Sequence, residues 1–302
     1  MSAQKTPQQK RTPHPSGQQP ACKLSEKISA GLYLVATPIG NLGDMSYRAV
    51  ETLEEAAVIL CEDTRVSRKL TQHYGINTPL LSCHEHNQVE RIPQVLEIIR
   101  QGGAVALISD AGMPLISDPG APLVLAVQEV GLKVTTVPGA NAVLAAVSLS
   151  GLNSTRFLFA GFLPTKTGAR RDDLVSLANV PTTLVFYESP NRVAETLADM
   201  HKVLGNRTAA VVREITKLHE EVVRAPLAEL AEKYRDATVR GEIVLVIAPP
   251  EAQQEELDVD ALLKAELARG SLKDAVAVVT ARTGLPKREV YARAVALEQG
   301  KA

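Results

Sequence analysis

The residues best suited to chemistry in this chain lie in stiff loops that follow apolar segments. The longest such loop, residues 109–120, reads SDAGMPLISDPG and holds two Asp, two Gly and two Pro residues. Main-chain N–H and C=O groups exposed on a rigid loop suit recognition of a polar small molecule. Asp110 can accept a hydrogen bond from that molecule, or it can bond its own backbone in a turn. Asp118 and Pro119 alternatively mark the N-cap and first turn of the next helix.

Two shorter loops have the same character. Residues 37–44 read TPIGNLGD, and residues 137–141 read VPGAN. The spacing of Gly40 and Gly43 matches neither the dinucleotide fingerprint nor the P-loop, so a ligand loop and a plain tight turn are equally good interpretations of that segment. Three stiff loops at the carboxyl edge of one parallel sheet would together form a small-molecule pocket.

The scaffold for these loops is predicted by the spacing of apolar residues. From Leu32 to about residue 150, short apolar strands alternate with helical segments, which indicates βαβ units around a parallel sheet. The strands are apolar throughout, as expected when helices cover both faces. After a break at residues 151–154, the runs TAAVVRE and EEVVRA indicate antiparallel neighbours in a mixed sheet. We therefore predict two α/β domains, residues 28–150 and 151–250.

The last part of the chain has a different pattern. Residues 256–300 read as three short helices, with Ser271 and Asp274 in capping-box positions, Gly284 as a stop and Pro286 opening the third helix. Two helices joined by a short glycine turn, with basic residues on the second, form a helix-turn-helix outline. This small domain either contacts RNA or serves as an interaction or dimer-stabilising module.

Composition limits the classes of protein that remain. The net charge of −1 over 302 residues excludes a general polycation, so any nucleic-acid contacts must be local. The three cysteines form no CxxC pair, which fits a reducing compartment. No apolar run approaches the roughly 18–20 residues of a membrane helix. Residues 1–27 lack large apolar groups and are predicted to be a disordered tail, with a basic arm on RNA as the alternative. We expect a soluble cytoplasmic protein.

Six motifs then carry a specific resemblance. They are LYLVATPIGNLGD, CEDTR, LISDAGMPLISDPG, VPGANA, FYESPNR and VVREITKLHEE, in that order. Together they resemble the tetrapyrrole methylase family, and within it the branch that acts on small-subunit ribosomal RNA. The match covers about residues 30–250, and the C-terminal helices resemble the helix-turn-helix addition of that branch.

The resemblance implies a fold, a cofactor and a reaction. The fold is a two-domain, tetrapyrrole-methylase-like (class III methyltransferase) α/β fold, usually a homodimer, with S-adenosylmethionine held between the domains. The implied reaction is 2′-O-methylation of cytidine 1402 in the 16S ribosomal RNA of the 30S subunit. The residues that would contact the cofactor are Thr37, Pro38, Asp110, Ala111, Gly112, Met113, Ser117, Pro138, Gly139 and Ala140.

A ribose hydroxyl is a very weak acid, so something must accept or stabilise its proton as the new bond forms. The candidates are Glu188, Glu214, Lys217 and Asp63. A buried lysine with a depressed pKa can act as a base. A structural ion pair with a nearby arginine is at least as good an explanation for each candidate. No metal is expected, because alternate residues of the His84-Glu85-His86 run would point to opposite faces of a strand and no third ligand is evident.

RNA contacts are expected at a small set of basic side chains. The candidates for phosphate contacts are Arg65, Arg68, Arg192 and Arg213, with Lys287 and Arg288 on the last helix. Tyr187 suits stacking on a base, although a core or cofactor-wall position is equally good. Two other functions stay open: methylation of a tetrapyrrole such as a cobalamin precursor on the same fold, and a non-enzymatic nucleic-acid-binding regulator built on the C-terminal helices.

Overall fold

The computed structural model describes residues 28–251 and 258–300, so the predicted tail of residues 1–27 lies outside the described residues. The chain divides into two compact units, and the boundary lies between Pro249 and Pro250. The first unit holds two five-stranded sheets, and the second holds the C-terminal helices.

The first sheet is wholly parallel and has the order β3-β2-β4-β1-β5. Its strands are β1 (Gly31–Val35), β2 (Val58–Cys61), β3 (Leu80–Ser82), β4 (Ala104–Ile108) and β5 (Val134–Val137). The intervening helices are α1 (Tyr47–Glu55), α2 (Thr64–Tyr74), α3 (Gln88–Arg100) and α4 (Ala121–Glu129). Leu53 of α1 packs on one face, whereas Val95 of α3 and Leu123 of α4 pack on the other. The prediction of a parallel sheet covered on both faces is confirmed.

The strand order brings the predicted loops together. Strand β1 lies between β4 and β5, so the loops that follow these three strands leave the same edge side by side. In open α/β sheets, a ligand crevice forms where the order of strands reverses in this way. The fold therefore places a site where residues 36–41, 109–120 and 138–141 meet.

The second sheet is mixed and has the order β6-β7-β10-β8-β9. Its strands are β6 (Phe157–Phe162), β7 (Thr183–Glu188), β8 (Thr208–Arg213), β9 (Glu221–Pro226) and β10 (Ile243–Ile247). Only β6 and β7 run parallel, and the antiparallel pairing of β8 with β9 confirms the sequence prediction. Helices α6 (Thr167–Leu177), α7 (Val193–Leu204) and α8 (Leu227–Tyr234) cover one face.

Helix α5 (Ala142–Ser150) joins the two sheets into one unit. Its buried side chains Val143 and Val147 pack against Val185 and Val244 of the second sheet, and Ile39 from the loop after β1 belongs to the same cluster. The segments that the sequence predicts as separate domains thus share an apolar core, because the last helix of one packs on the sheet of the other.

A buried ion pair fastens α6 to α7. The Arg170 guanidinium lies 2.7 Å from Oδ2 of Asp199, and both side chains are almost fully buried. Arg171 contributes a second contact, 2.6 Å from its Nε to Oδ1 of Asp199. A buried charge that keeps its partner is tolerated, whereas one that loses its partner is strongly destabilising.

The start of α4 differs from the sequence interpretation. The N-cap is Gly120 rather than Asp118, and the helix begins at Ala121. The Gly120 N–H donates to Oε1 of the buried Gln88 at 2.7 Å, so a side chain from α3 does part of the capping. Asp118 is therefore left in the loop.

The second unit consists of α9 (Val259–Leu267), α10 (Leu272–Thr283) and α11 (Lys287–Glu298) around a small apolar core. The Asp274 N–H donates to Oγ of Ser271 at 3.2 Å, and Gly284 ends α10 in the left-handed conformation, as the sequence predicts. Across residues 28–251 and 258–300, every helix falls short of the length and apolarity that crossing a membrane would require.

Candidate functional site

The loops after β1 and β4 are joined by main-chain hydrogen bonds. The Thr37 N–H donates to the Gly112 carbonyl at 2.9 Å, and the Gly112 N–H donates back to the Thr37 carbonyl at 3.1 Å. The Thr37 hydroxyl also donates to the Ser109 carbonyl at 3.1 Å. Gly112 has φ +83°, and a Cβ there would lie 3.1 Å from Cγ2 of Ile39. These contacts hold both loops in one rigid rim.

Backbone strain marks the rest of the long loop. Leu115 has φ +74° and Ser117 has φ +67°, a left-handed conformation that side chains other than glycine seldom adopt. Such strain persists only where surrounding contacts fix it, and it is concentrated at functional sites. The loop is thus held in a defined shape rather than folded as a relaxed turn.

A cavity of about 360 Å³ lies between this loop and the second sheet. Its size falls within the range of small-molecule sites. Three acidic residues line it, and none of its lining residues is lysine or arginine. We call it the first cavity; its lining residues are Ile39, Ala111, Gly112, Met113, Ile116, Ser117, Asp118, Asn141, Ala142, Phe162, Tyr187, Glu188, Ser189, Pro190, Gly241, Glu242, Ile243 and Val244.

Aromatic side chains form one wall of the first cavity. The ring of Tyr187 meets the ring of Phe159 edge-on at 4.8 Å between centroids and that of Phe162 at a tilt at 5.4 Å. Burial raises the pKa of Tyr187 to about 12, and the negative charges of Asp118 and Glu242 add to the effect. The phenol therefore stays neutral, and Tyr187 lies in a cavity wall.

A second pocket of about 270 Å³ adjoins the first cavity. Both are lined by Ile39, Ala111 and Glu242, so the two hollows meet along these residues. Unlike the first cavity, the second pocket contains two lysines, Lys69 and Lys217. Its other lining residues are Thr37, Pro38, Gly40, Leu42, Val66, Ser67, Leu70, Ser109 and Asp110.

Lys217 is fixed at this junction by two carboxylates. Its Nζ donates to Oε1 of Glu214 at 2.9 Å and to Oε2 of Glu242 at 3.1 Å. The same Oε1 of Glu214 accepts from the Glu242 N–H at 3.1 Å. Two glycines make room: a Cβ on Gly241 would lie 2.2 Å from Oε1 of Glu214, and one on Gly40 would lie 2.6 Å from Cγ of Lys217.

The ion pairs correct the expected protonation of Lys217. Burial alone would lower the pKa of Lys217, but the hydrogen bonds to Glu214 and Glu242 outweigh it and raise the pKa above its ordinary value. The hydrogen bond from Lys217 lowers the pKa of Glu214 despite partial burial. The idea that burial depresses the pKa of Lys217 is therefore wrong, and Lys217 is a charged hydrogen-bond donor at neutral pH.

Asp110 and Asp63 lie close together but differ in environment. Asp63 caps α2, and its carboxylate pairs with Arg65, 2.6 Å from Oδ2 to Nη2. That hydrogen bond lowers the pKa of Asp63 to about 2. Partial burial raises the pKa of Asp110, against a weak 3.4 Å hydrogen bond from the Asp63 N–H. Asp110 lines the second pocket, and Asp63 does not.

Glu188 is buried in the wall of the first cavity with its carboxylate already engaged. Its Oε2 accepts from the Thr196 hydroxyl at 2.5 Å, and its Oε1 accepts from the Ser189 N–H at 2.7 Å. Arg192 approaches the same carboxylate to 3.6 Å. These contacts tie the end of β7 to α7, so Glu188 has a structural role in the cavity wall.

The residues expected at the cofactor separate into three groups. Ala111, Gly112, Met113 and Ser117 line the first cavity. Thr37, Pro38 and Asp110 line the second pocket. The remaining three, Pro138, Gly139 and Ala140, line neither hollow.

The turn at residues 138–140 packs against the end of the neighbouring strand β1, because a Cβ on Gly139 would lie 2.9 Å from Cβ of Ala36. The Ala140 carbonyl lies 3.6 Å from the position of a Cβ on Gly112, which lines the first cavity. The next two residues, Asn141 and Ala142, also line that cavity. The contact of residues 138–140 with the cofactor stays a prediction.

Of the six basic candidates for RNA contact, four are exposed and two are held by internal contacts. Arg65 and Arg68 are exposed on α2, beside Lys69 of the second pocket. Arg192 donates to the Leu163 carbonyl at 2.8 Å, so it is committed to internal contacts. Arg213 is similarly held by Glu221 at 3.1 Å. Lys287 and Arg288 are exposed on α11 of the second unit. Tyr187, the candidate for base stacking, lies in the wall of the first cavity.

Two site residues escaped the sequence analysis. The sequence offers a helix cap as the alternative role of Asp118 and assigns no role to Glu242. The position of Glu242 depends on β10 pairing with both neighbours, since Ile243 lies opposite Glu188 on one side and Arg213 on the other. No local motif carries that information.

The architecture is an α/β fold with a ligand crevice at the carboxyl edge of its parallel sheet. A family model described as Tetrapyrrole (Corrin/Porphyrin) Methylases matches residues 31–231, and the chain belongs to that family. A second model, described as the RsmI C-terminal HTH domain, matches residues 253–298. Both matches confirm the predicted fold class with its helix-turn-helix addition.

Curated relatives identify the branch of the family. Proteins named ribosomal RNA small subunit methyltransferase I are 47% identical in Mesorhizobium japonicum, over 90% of this chain and 93% of the relative, and 46% identical in Pseudomonas aeruginosa, over 91% and 100%. These relatives confirm the resemblance to the ribosomal RNA branch.

Solved structures support the same fold. Uroporphyrin-III C-methyltransferase from Thermus thermophilus, complexed with S-adenyl homocysteine (S-adenosylhomocysteine), is 25% identical, with a TM-score of 0.52 over 72% of this chain and 97% of that one. Diphthine synthase has a TM-score of 0.57 over 72% and 89%, at 14% identity, and so shows the fold alone.

Proposed function

We propose that this protein transfers the methyl group of S-adenosylmethionine to small-subunit ribosomal RNA, at the 2′-hydroxyl of cytidine 1402 in 16S RNA. The observation that carries the proposal is the pair of adjoining hollows that share Ile39, Ala111 and Glu242. A methyl transfer needs donor and acceptor on either side of one contact region, in line with each other. The relatives named for small-subunit ribosomal RNA support the substrate class.

The first cavity fits the methyl donor. It offers an apolar and aromatic wall for an adenine ring, and the main chain of residues 111–113 and the Asn141 side chain for polar contacts. Its lining carries acidic residues and no lysine or arginine, which suits a ligand with a positive charge. When bound, S-adenosylmethionine supplies an electrophilic methyl group on a positively charged sulfur.

The second pocket fits the ribose and its flanking phosphates. Lys69 in the pocket and the exposed Arg68 beside it on α2 supply positive charge, because neither belongs to an ion pair among residues 28–251 and 258–300. Lys217 and Arg65 are already paired with carboxylates. Lys217 is held in one position by Glu214 and Glu242, so its ammonium can orient an incoming hydroxyl oxygen at low entropic cost.

Asp110 is the proposed proton acceptor. It lines the second pocket, and no ion pair engages it among residues 28–251 and 258–300. Partial burial raises the pKa of Asp110, which makes it a better base than Asp63 and Glu214, whose pKa values are lowered by their ion pairs. Asp63 is neutralised by Arg65, and Glu214 by Lys217. In this mechanism the 2′-hydroxyl proton passes to a carboxylate oxygen of Asp110 while Lys217 holds the oxygen.

The wider assembly belongs to the same proposal. The exposed Lys287 and Arg288 of the helix-turn-helix unit add contacts to ribosomal RNA.

A homodimer is proposed because exposed Leu144 and Leu149 on α5 offer an apolar surface. The reaction takes place in the cytoplasm, where the 30S subunit is assembled.

Mapping of 2′-O-methyl groups on 16S RNA tests the proposal. Cells that lack the protein should lose one methyl group, at cytidine 1402, and the wild-type chain should restore it. Asp110→Asn and Lys217→Met should fail to restore it, whereas Asp172→Asn, an exposed carboxylate on α6, should succeed. Persistence of that methyl group in the deletion strain would refute the target. Methylation of a tetrapyrrole intermediate, but not of purified 30S particles, would refute the substrate class.

A further inference from the structure

Asp118 is a half-buried carboxylate without a cationic partner in the wall of the first cavity. None of the ion pairs among residues 28–251 and 258–300 includes it, unlike Glu188 and Glu242, which face Arg192 and Lys217. Its negative charge is one cause of the raised pKa of Tyr187, another lining residue. The carboxylate is therefore close enough to the cavity wall to act on what lies inside.

The surroundings of Asp118 make its charge unfavourable in the empty protein. Burial is the main cause that raises the pKa of Asp118 to about 6, and the nearby carboxylates of Glu62 and Asp110 raise it further. A buried carboxylate usually has a cation or several donors to offset lost hydration. Asp118 has no cationic partner, and its hydrogen bond with Ser109 lowers the pKa less than burial raises it. A ligand that brings a positive charge would supply the missing compensation.

We propose that Asp118 makes the first cavity selective for the charged sulfur of the methyl donor over the uncharged sulfur of its product. This inference rests on the proposed function, because it takes S-adenosylmethionine as the ligand. The donor and S-adenosylhomocysteine share the nucleoside and the amino-acid group. They differ in one methyl group and in the permanent positive charge that it creates on sulfur.

That difference isolates the contribution of Asp118. Contacts to the nucleoside and to the amino acid act equally on donor and product, so they cancel in the ratio of the two dissociation constants. The electrostatic attraction of Asp118 for the sulfonium does not cancel. A single pair of opposite charges a few ångströms apart in a partly buried site changes affinity by about tenfold, or 1.4 kcal/mol. We expect a change of that size in the affinity for S-adenosylmethionine.

The test is titration calorimetry of the full-length protein with each ligand at pH 7.5. Asp118→Asn should weaken binding of S-adenosylmethionine about tenfold and change binding of S-adenosylhomocysteine less than twofold. Glu62→Gln is the matched control: it removes a neighbouring carboxylate that does not line the first cavity, and it should leave the ratio unchanged. Equal weakening of both ligands by Asp118→Asn would overturn the inference.

A second measurement needs no variant and guards against a folding defect. The groups that face Asp118 from the packed elements are Glu62, Glu85, Asp110, Tyr187, Glu188 and Glu242. Calorimetry at pH 6 in buffers of different ionisation enthalpy counts the protons released on binding. S-adenosylmethionine should release more protons than S-adenosylhomocysteine, because only the sulfonium favours the ionised carboxylate. Equal release would contradict the inference, and binding of neither ligand would instead refute the proposed donor.

Discussion

Gly241→Ala is expected to separate the activity of this protein from its stability. Gly241 lies at φ +86°, and an added Cβ would approach Oε1 of Glu214 to 2.2 Å and its Cγ to 2.6 Å. Contacts this short cannot exist, so the Glu214 side chain must move. Its movement breaks the 2.9 Å hydrogen bond from Lys217 and the 3.1 Å hydrogen bond from the Glu242 N–H.

The sizes of the losses in stability and turnover depend on which atoms must move. The left-handed backbone costs an alanine about 1–2 kcal/mol of unfolding free energy. The displaced group is the end of a partly exposed side chain, so the lost hydrogen bonds add about 1 kcal/mol. The effect on turnover is larger, because misplacing a positioning group by about 1 Å costs on the order of 100-fold in rate.

Gly75→Ala provides the matched control. Gly75 ends α2 in the left-handed conformation at φ +72°, and an added Cβ would meet nothing within 4 Å. Both variants are compared by urea unfolding and by methyl transfer to purified 30S particles. We expect Gly241→Ala to lose about 1 kcal/mol more stability than Gly75→Ala, and a large loss of turnover in Gly241→Ala alone. Equal turnover in the two variants would show that the Glu214–Lys217 contact does not position the reaction.

Three further predictions concern charge. The pKa of Asp118 is about 6 in the folded chain, against an ordinary value of 3.8. Between these two pH values the native state therefore binds more protons than the unfolded state. The unfolding free energy of the ligand-free protein should consequently fall as pH rises from about 4 to 6. Allowing for half exposure, Asp118→Asn should remove that decline and stabilise the protein by about 1 kcal/mol at pH 7, as measured by urea unfolding; an unchanged pH profile would contradict it. Asp199→Ala should lower the unfolding free energy by about 3–5 kcal/mol in the same assay, because it leaves the Arg170 guanidinium buried without its main partner. A loss below about 1 kcal/mol would show that Arg170 forms an ion pair with another carboxylate. Replacing Lys287 and Arg288 by alanine should lower the salt dependence of binding to 30S particles by about 1–2 in logarithmic slope, and an unchanged slope would exclude phosphate contacts there.

The local features of the site were predictable from the sequence. Apolar strands alternating with helices specify a parallel sheet, and runs rich in Gly, Pro and Asp specify stiff loops at its edge. The loop of residues 109–120 follows from this pattern, whereas the segment around Lys217 was indicated only by the family resemblance. Ser271 and Gly284 gave the limits of α10 because capping is a local interaction.

The features that escaped prediction depend on distant parts of the chain. Gly139 packs against Ala36 only because β5 pairs with β1, so the residues of this turn alone do not predict its contacts. The pKa of Lys217 depends on Glu242, which is 25 residues further along the chain. Asp118 was free to line the cavity because Gln88 of α3 takes part in capping α4.

Backbone strain gives independent support to the site that these contacts define. Among the described residues, four non-glycine side chains have positive φ: Leu115, Ser117, Glu214 and Thr216. All four belong to the two loops that border the hollows, and each conformation costs on the order of 1 kcal/mol or more. Relaxed turns would have been more stable, and glycine would have removed much of the cost. Strain among the described residues is confined to these two loops, and one of them also carries Asp118, a carboxylate without a cationic partner. A site shaped for a charged ligand requires both features, because the ligand then binds to a geometry that folding has already fixed.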